Sequence, residues 1–287
     1  MSRIAYVNGQ YLLHQHASVH IEDRGYQFAD GVYEVCEVLG GRLIDEKRHM
    51  ERLSRSLREL RISHPMTNRA LGVVLREVIA RNKVRNGFVY LQVTRGVAPR
   101  NHYFPPDHTA PGIVVTARNA SIAKSSALAE QGVAIISMPD NRWDRVDIKS
   151  VSLLPNVLAK QSAREQGAFE AWFVDDEGYV TEGSSTNAWI VTKDGTIVTR
   201  PAEEGILKGI TRAIVLELAE RERMQFEERS FTIEEAQHAR EAFITAATTL
   251  VMPVVSVDDV TVANGTPGHI ATTLRSLFHS QAEIADT

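Results

Sequence analysis

Two residues of this chain are of types able to act chemically where they stand: Lys149 in "DIKSVSLLPN" and, thirty-three positions later, Glu182 in "VTEGSSTN". Lys149 stands between Ile148 and a Ser-Val-Ser-Leu-Leu run that offers no helix face and no evident solvent side. A free lysine has a pKa near 10.4, so at neutral pH only about one molecule in a thousand carries the nucleophilic amine. A lysine used chemically is therefore depressed by burial or tied up covalently, most often as a Schiff base. Glu182 follows a strand-like run and precedes small hydroxylic residues that let the backbone bend toward a ligand. A polar turn joining two strands is the plainer reading of the same loop. Lys160, late in a helix-like run, reads as an ordinary solvated lysine.

Other chemistries lack their signatures. The chain has no glycine-rich dinucleotide turn, Walker loop, HExxH, CxxC pair or nucleophile-elbow serine. His14, His16 and His20 alternate after a strand and read as one solvated side, so no metal site is expected. A formal charge of −4, with 24% charged residues and no long block of one sign, gives no basic field for nucleic acid. The single cysteine, Cys36, reads as a small buried apolar residue in a reducing compartment. The N-terminal apolar stretch is too short for a secretory signal, and nowhere do about 18 apolar residues run together. A soluble, cytoplasmic protein without a membrane partner is the expectation.

The elements that must position Lys149 and Glu182 are mixed. Asn8-Gly9 between two apolar runs marks a hairpin, and a second runs through "VYEVCEVL", Gly40-Gly41 and "RLI". Met50, Leu53, Leu57 and Leu60 recur at spacings of three and four, an amphipathic helix with Asp45 as its expected N-cap. A helix over 67–82 precedes the strand-like "FVYLQVTR" and "IVVTAR". Residues 120–131, small and polar with weak periodicity, read as a linker between a domain over 1–119 and a larger one over 132–287. In the latter, strands alternate with helices near 154–166, 209–223, 232–239 and 267–283, the third opening on Thr232 and Glu235 at capping-box spacing. The coarse result is α/β in two domains.

Six segments in order then carry a resemblance: "DRGYQFADGVYEV", "RHMERL", "TRGVAPRNH", "RWDRVDIKSVSLLPNVLAKQ", "VTEGSSTN" and "ILKGITR". Together they resemble the fold-type IV transaminases that use pyridoxal 5'-phosphate, and among these the D-amino acid aminotransferases. The resemblance implies a two-domain α/β fold with the active site between the domains, and a homodimer. It implies that Lys149 forms the Schiff base with the cofactor and later moves the Cα proton, while Glu182 keeps the ring nitrogen protonated. Arg52, the backbone at Ile210 and Thr211, Ser185 and Thr248 would complete the cofactor site. Arg52 stands amid Arg48, Arg55, Arg58 and Arg61, which read as solvated. Tyr33, Arg100 and His102 would trap the substrate α-carboxylate; a proline-rich surface loop is the plainer reading of "PRNHYFPPDH". The chain departs from the family where Ala246 and Ala247 stand at positions commonly serine and threonine, so that Thr248 supplies a phosphate hydroxyl only if the backbone shifts by one residue.

The implied reaction is ping-pong transfer of the amino group of a D-amino acid, of the D-alanine or D-glutamate type, to 2-oxoglutarate or pyruvate. Branched-chain L-amino acid transaminases, R-selective amine transaminases and aminodeoxychorismate lyases share the scaffold and remain alternatives, as does a cofactor-free binding protein of the same fold.

Overall fold

The alternating run GVYEVCEVL forms a strand, and it organises the first of two units into which the chain divides. The structure, a computed structural model, describes residues 3–202 and 205–285. The first unit comprises the chain up to Ser121, joined by Ile148–Ser152 and the segment from Glu283. Its elements are β1 (Ile4–Val7), β2 (Gln10–Leu13), α1 (Arg24–Phe28), β3 (Gly31–Leu39), β4 (Arg42–Leu43), α2 (Glu46–Glu59), α3 (Asn68–Arg81), β5 (Gly87–Thr94) and β6 (Gly112–Asn119). The strands lie in the order β2-β1-β6-β5-β3-β4, and every neighbouring pair is antiparallel. Such a sheet can bury one face and leave the other for function. On β3, Val32, Cys36 and Val38 enter one core with Met50, Leu53 and Leu57 of α2 and Leu71, Leu75 and Val78 of α3. Each such leucine contributes about 2 kcal/mol of burial free energy.

Both expected hairpins are present, the second turning on Gly40 and Gly41 at φ +62° and +85°. Asp45, expected as the N-cap of α2, does not cap it. Its backbone is left-handed at φ 54°, whereas a cap needs extended geometry to swing its oxygen over the first turn. Its carboxylate instead accepts the Glu283 N–H at 3.0 Å, and its own N–H donates to the Glu283 carbonyl at 2.7 Å. The C-terminal segment is thereby fastened to the first unit.

The second unit contains α4 (Ile122–Gln131), β7 (Val133–Pro139), α5 (Leu154–Glu165), β8 (Glu170–Val174), β9 (Val180–Gly183), β10 (Asn187–Val191), β11 (Ile197–Thr199), α6 (Ile210–Arg221), β12 (Phe226–Glu228), α7 (Ile233–Gln237), β13 (Glu241–Ala246), β14 (Leu250–Val257), β15 (Val260–Thr261) and α8 (His269–Gln281). Its mixed sheet runs β12-β11-β10-β13-β14-β7-β8-β9, with β15 paired to β14. Two readings of the sequence change here. Residues 122–131 form a helix instead of a linker: alanine, lysine, glutamate and glutamine favour helix intrinsically, and Ala129 enters the core beside Val133 and Ile135. The Lys149 segment, expected in the second domain, belongs to the first unit. Thr232 caps α7 by accepting the Glu235 N–H at 3.1 Å, but the Glu235 carboxylate pairs with Arg229, so only half of the capping box forms. Among the described residues, no helix is long and apolar enough to cross a membrane.

Candidate active site

Lys149 lies on a short extended segment laid along the start of β3. The Tyr33 N–H donates to the Lys149 carbonyl at 3.0 Å, the Val151 N–H to the Gly31 carbonyl at 3.0 Å, and Val32 bridges Ser150. From α2, Ser56 Oγ accepts the Lys149 N–H at 3.3 Å. A strand and a helix thus hold the backbone of one residue. The amine then meets Tyr33, whose Oη lies 3.4 Å from Lys149 Nζ and whose ring centroid lies 4.4 Å away. Among the described residues no carboxylate pairs with Lys149 Nζ. A nucleophilic use of this amine therefore has no salt bridge to break first. Tyr33 packs beside Tyr90 at 5.8 Å between centroids, and burial, with Tyr33 nearby, pushes the Tyr90 phenol up to about 12.

Side chains alternate along a strand, so the residue after Tyr33 faces the other way, into the core. That residue is Glu34, fully buried, with Arg52 Nε and Nη2 donating to its oxygens at 2.8 and 2.7 Å and His49 Nδ1 at 2.7 Å. Because a carboxylate only accepts, His49 carries its proton on Nδ1. Arg52 sits one helical turn before Ser56, so the residue that anchors Lys149 and the expected phosphate ligand share one face of α2. Burial alone would raise the Glu34 carboxyl, but the charge and hydrogen bonds of Arg52 and then those of His49 outweigh it, lowering it from 4.5 to about 2. A folded-state pKa below the unfolded one stabilises above the unfolded value and is lost as pH falls through the folded one. Glu34→Gln is therefore expected to cost on the order of 3 kcal/mol at pH 7. Denaturant unfolding across pH should show the gap between variant and parent shrinking from pH 4.5 toward pH 2; a gap independent of pH would mean that the charge of Glu34 is not what stabilises.

In the second unit Glu182 stands near the end of β9, 5% exposed. Arg142 Nη1 donates to it at 2.6 Å, Asn187 Nδ2 at 3.1 Å and the Leu207 N–H at 3.2 Å. Arg142 is in turn gripped by Asp140, Nε at 2.9 Å and Nη2 at 2.7 Å, and Thr181 Oγ1 donates to the same carboxylate at 2.7 Å. Burial opposes ionisation of both partners, yet their mutual pairing prevails: Asp140 is held below and Arg142 above its ordinary range. Two carboxylates around one guanidinium leave the array with one net negative charge.

The turn after Glu182 is tight. The Gly183 N–H donates to the Thr186 carbonyl at 2.7 Å, and a Cβ on Gly183 would stand 2.1 Å from Thr186 Oγ1. Glu170, fully buried on β8, accepts the hydroxyls of Ser184 and Ser185, the latter at 2.7 Å, and Lys160 approaches it at 3.4 Å. Lys160 is therefore not a merely solvated lysine: it also donates to the Phe169 carbonyl. The Ser185 hydroxyl is already engaged, which leaves its N–H for a ligand.

Ile210 and Thr211 open α6, as expected, and no side chain caps that helix end. Its N-cap is Gly209, where a Cβ would stand 2.0 Å from Asn187 Oδ1. The glycine thus lets Asn187 bridge Glu182 and the Leu207 carbonyl, the latter at 3.0 Å. Free N–H groups and the positive end of a helix dipole suit a phosphate. Ala246 ends β13, the loop to β14 carries Ala247 and an exposed Thr248, and the hydroxyl buried there without a partner is that of Thr249.

Arg100 and His102 lie on an exposed loop of the first unit and converge on the Phe28 ring. The guanidinium is 5.1 Å from its centroid, and the His102 ring is 5.4 Å away. The structure thus groups Lys149, Tyr33 and Arg52 through β3 and α2, Glu182, Ile210 and Thr211 through Asn187 and the 207–209 loop, and Arg100 with His102 on Phe28. Asp140, Arg142, Asn187, Glu34 and His49 are residues that sequence reasoning missed. Glu34 alone is marked in the sequence, as a charge inside the strand-like run "GVYEVCEVL"; His49, Asp140, Arg142 and Asn187 lie in polar runs that give no such signal.

The chain as a whole has relatives in sequence and in fold. Residues 31–257 match the family described as amino-transferase class IV. The chain is 42% identical over 282 residues to the D-alanine aminotransferase of Bacillus licheniformis, covering 98% of each, and 40% identical over 274 residues to that of Staphylococcus epidermidis, covering 95% of each. Its fold is that of the branched-chain amino acid aminotransferase of Escherichia coli, at a TM-score of 0.87 and 22% identity over 98% of this chain and 94% of the other. A hypothetical aminotransferase from Mycobacterium tuberculosis, in a PLP-bound form, superposes at a TM-score of 0.83 and 22% identity over 97% and 98%. Similarity that runs nearly from end to end, in sequence as well as in fold, makes this chain a member of the amino-transferase class IV family.

Proposed function

We propose that the protein is a pyridoxal phosphate-dependent transaminase that moves the amino group of D-amino acids, D-alanine or D-glutamate in type, to a 2-oxo acid. The observation that carries the substrate assignment is the convergence of Arg100 and His102 on Phe28, in a chain whose full-length relatives are D-alanine aminotransferases. The branched-chain enzymes share the fold at 22% identity, which does not bear on substrate.

The residues fit the cofactor on three counts: an amine with no carboxylate partner at Lys149, a helix end without a side-chain cap at Ile210 and Thr211, and a buried, fixed carboxylate at Glu182. When bound, pyridoxal phosphate supplies a carbonyl that takes up the amino group and a ring that draws electrons from the substrate Cα. Lys149 Nζ would carry the Cα proton, with Tyr33 Oη, 3.4 Å away, steadying the amine. Glu182, paired with Arg142 at 2.6 Å, would face the ring nitrogen and favour a proton there. Arg52 in the first unit, and in the second the N–H groups of Ile210, Thr211 and Ser185 with the Thr248 hydroxyl, are the groups that would hold the phosphate. Arg100, His102 and Tyr33 take the α-carboxylate, and an arginine fork there fixes which face of Cα is presented. Tyr103, 82% exposed on the same loop, suits a homodimer in which a second subunit covers it.

A half-reaction tests the reading. Purified holoenzyme mixed with D-alanine should lose the cofactor's resting absorbance and gain that of the amine form, while L-leucine at equal concentration should convert it far more slowly. Conversion by L-leucine and not by D-alanine would overturn the substrate assignment and leave the transaminase chemistry standing.

A further inference from the structure

The loop that presents Arg100 and His102 is not held by its own regular structure. Its shape is closed locally by Asn101, whose Oδ1 accepts the Tyr103 N–H at 3.2 Å and folds the chain around His102. The carbonyls on either side of His102 both point at one group: Arg24 Nη1 donates to the Asn101 carbonyl at 2.6 Å and to the Tyr103 carbonyl at 3.3 Å. A terminal guanidinium nitrogen has two protons, and here each has its acceptor.

Arg24 is itself immobilised. It is 4% exposed, and its Nε donates to Asp30 Oδ2 at 2.8 Å. Asp30 is shared with Arg95, whose Nε and Nη2 donate to it at 2.7 and 2.9 Å. The remaining donors of Arg95 reach the carbonyls of Leu60 and Arg61 beyond the end of α2, at 2.8 and 2.9 Å. Arg95 also lies 3.8 Å from the Phe104 ring centroid, so the far end of the loop is held by the same group. Arg24 stands 4.8 Å from the Phe28 ring on which Arg100 and His102 converge. The local sequence "DRGYQF" builds this. Asp23 caps α1 by accepting the Gly25 N–H at 2.8 Å, and Gly25 allows close approach to β5, since a Cβ there would stand 2.2 Å from Thr94 Cγ2.

We infer that Arg24 is a positioning residue for substrate recognition: locked by Asp30, it holds the carbonyls that flank His102, and with Phe28 it sets where Arg100 and His102 meet an α-carboxylate. This rests on the reading of Arg100 and His102 as the carboxylate trap. Lysine cannot replace it, because a single ammonium on a flexible stem does not span Asp30 and two diverging carbonyls in fixed geometry.

The test uses the holoenzyme with three substitutions: Arg24→Lys, Phe28→Leu, which leaves the Arg24–Asp30–Arg95 pairing intact, and Arg100→Ala as reference. For each, KM and kcat for D-alanine and the dissociation constant of pyridoxal phosphate from the apoprotein are measured. Arg24→Lys is expected to raise KM about tenfold, the equivalent of one charge-assisted hydrogen bond, with kcat and cofactor affinity within about twofold of the parent. Phe28→Leu is expected to raise KM in the same way by a smaller factor, and it carries the test if Arg24→Lys does not fold. A raised KM for Arg100→Ala with unchanged KM for Arg24→Lys and Phe28→Leu overturns the positioning role while sparing the trap. Loss of cofactor affinity in step with KM makes the role merely structural and also overturns it. An unchanged KM for Arg100→Ala removes the trap reading and this inference with it.

Discussion

Lys149→Ala is expected to slow transamination from D-alanine by about a thousandfold or more, the scale of a positioned general acid–base group that also carries the covalent link. The structure explains why no neighbour replaces it. The backbone of Lys149 is fixed by Tyr33, Ser56 and the Val32–Ser150 bridge, so the loss of its amine leaves only its partner Tyr33 Oη in place, and a phenol does not form an imine. Lys160, the other lysine of that stretch, is committed to the Phe169 carbonyl and to Glu170. Borohydride treatment followed by peptide mass mapping should place the cofactor mass on the peptide containing Lys149 in the parent and on no peptide in the variant. Partial recovery of rate by a small added amine would show that the missing function is the amine itself. A cofactor mass retained in Lys149→Ala would remove the residue from its assigned role.

The next largest effect is expected at Glu182. Glu182→Gln keeps the shape and an acceptor oxygen but changes the net charge of the Asp140–Arg142–Glu182 array from −1 to zero. In a buried setting that single charge is what favours a protonated ring nitrogen opposite it. The half-reaction with D-alanine should fall by about a hundred- to a thousandfold, the range seen when one preorganised electrostatic group is removed from an active site. Arg142 still has Asp140 as partner, at 2.7 and 2.9 Å, so the fold should tolerate the change. Unfolding midpoints close to the parent's, together with the slowed half-reaction, are the expected pair of results. A slowed reaction accompanied by a large loss of stability would assign Glu182 to packing instead of catalysis.

Much of the fold was legible because it is written in local periodicity. The stripe of Met50, Leu53 and Leu57 and the alternation of GVYEVCEVL each report a face that must be buried, and both entered the core as their spacing required. The failures have a common cause. Asp45 has the residue type of a cap but the wrong backbone conformation, set by its pairing with Glu283 more than two hundred residues away. The 122–131 segment looked like a linker because small residues carry little hydrophobic signal, although they pack well enough for a helix. Lys149 was placed with its neighbours in sequence, whereas its hydrogen bonds run to β3 and α2.

The sequence by itself determined the chemical groups: an amine without a helix face at Lys149, a carboxylate before a small-residue turn at Glu182, a helix start at Ile210 and Thr211, and Arg100 and His102 two positions apart. Their order along the chain also carried the family resemblance. Only the tertiary structure decided which charges stand together. Glu34 clamps Arg52, Asp140 and Arg142 set the charge beside Glu182, and Arg24 with Asp30 holds the loop around His102. The physical reason is that a buried charge must find a partner, and the partner is chosen by distance in space, which no local pattern of residues encodes.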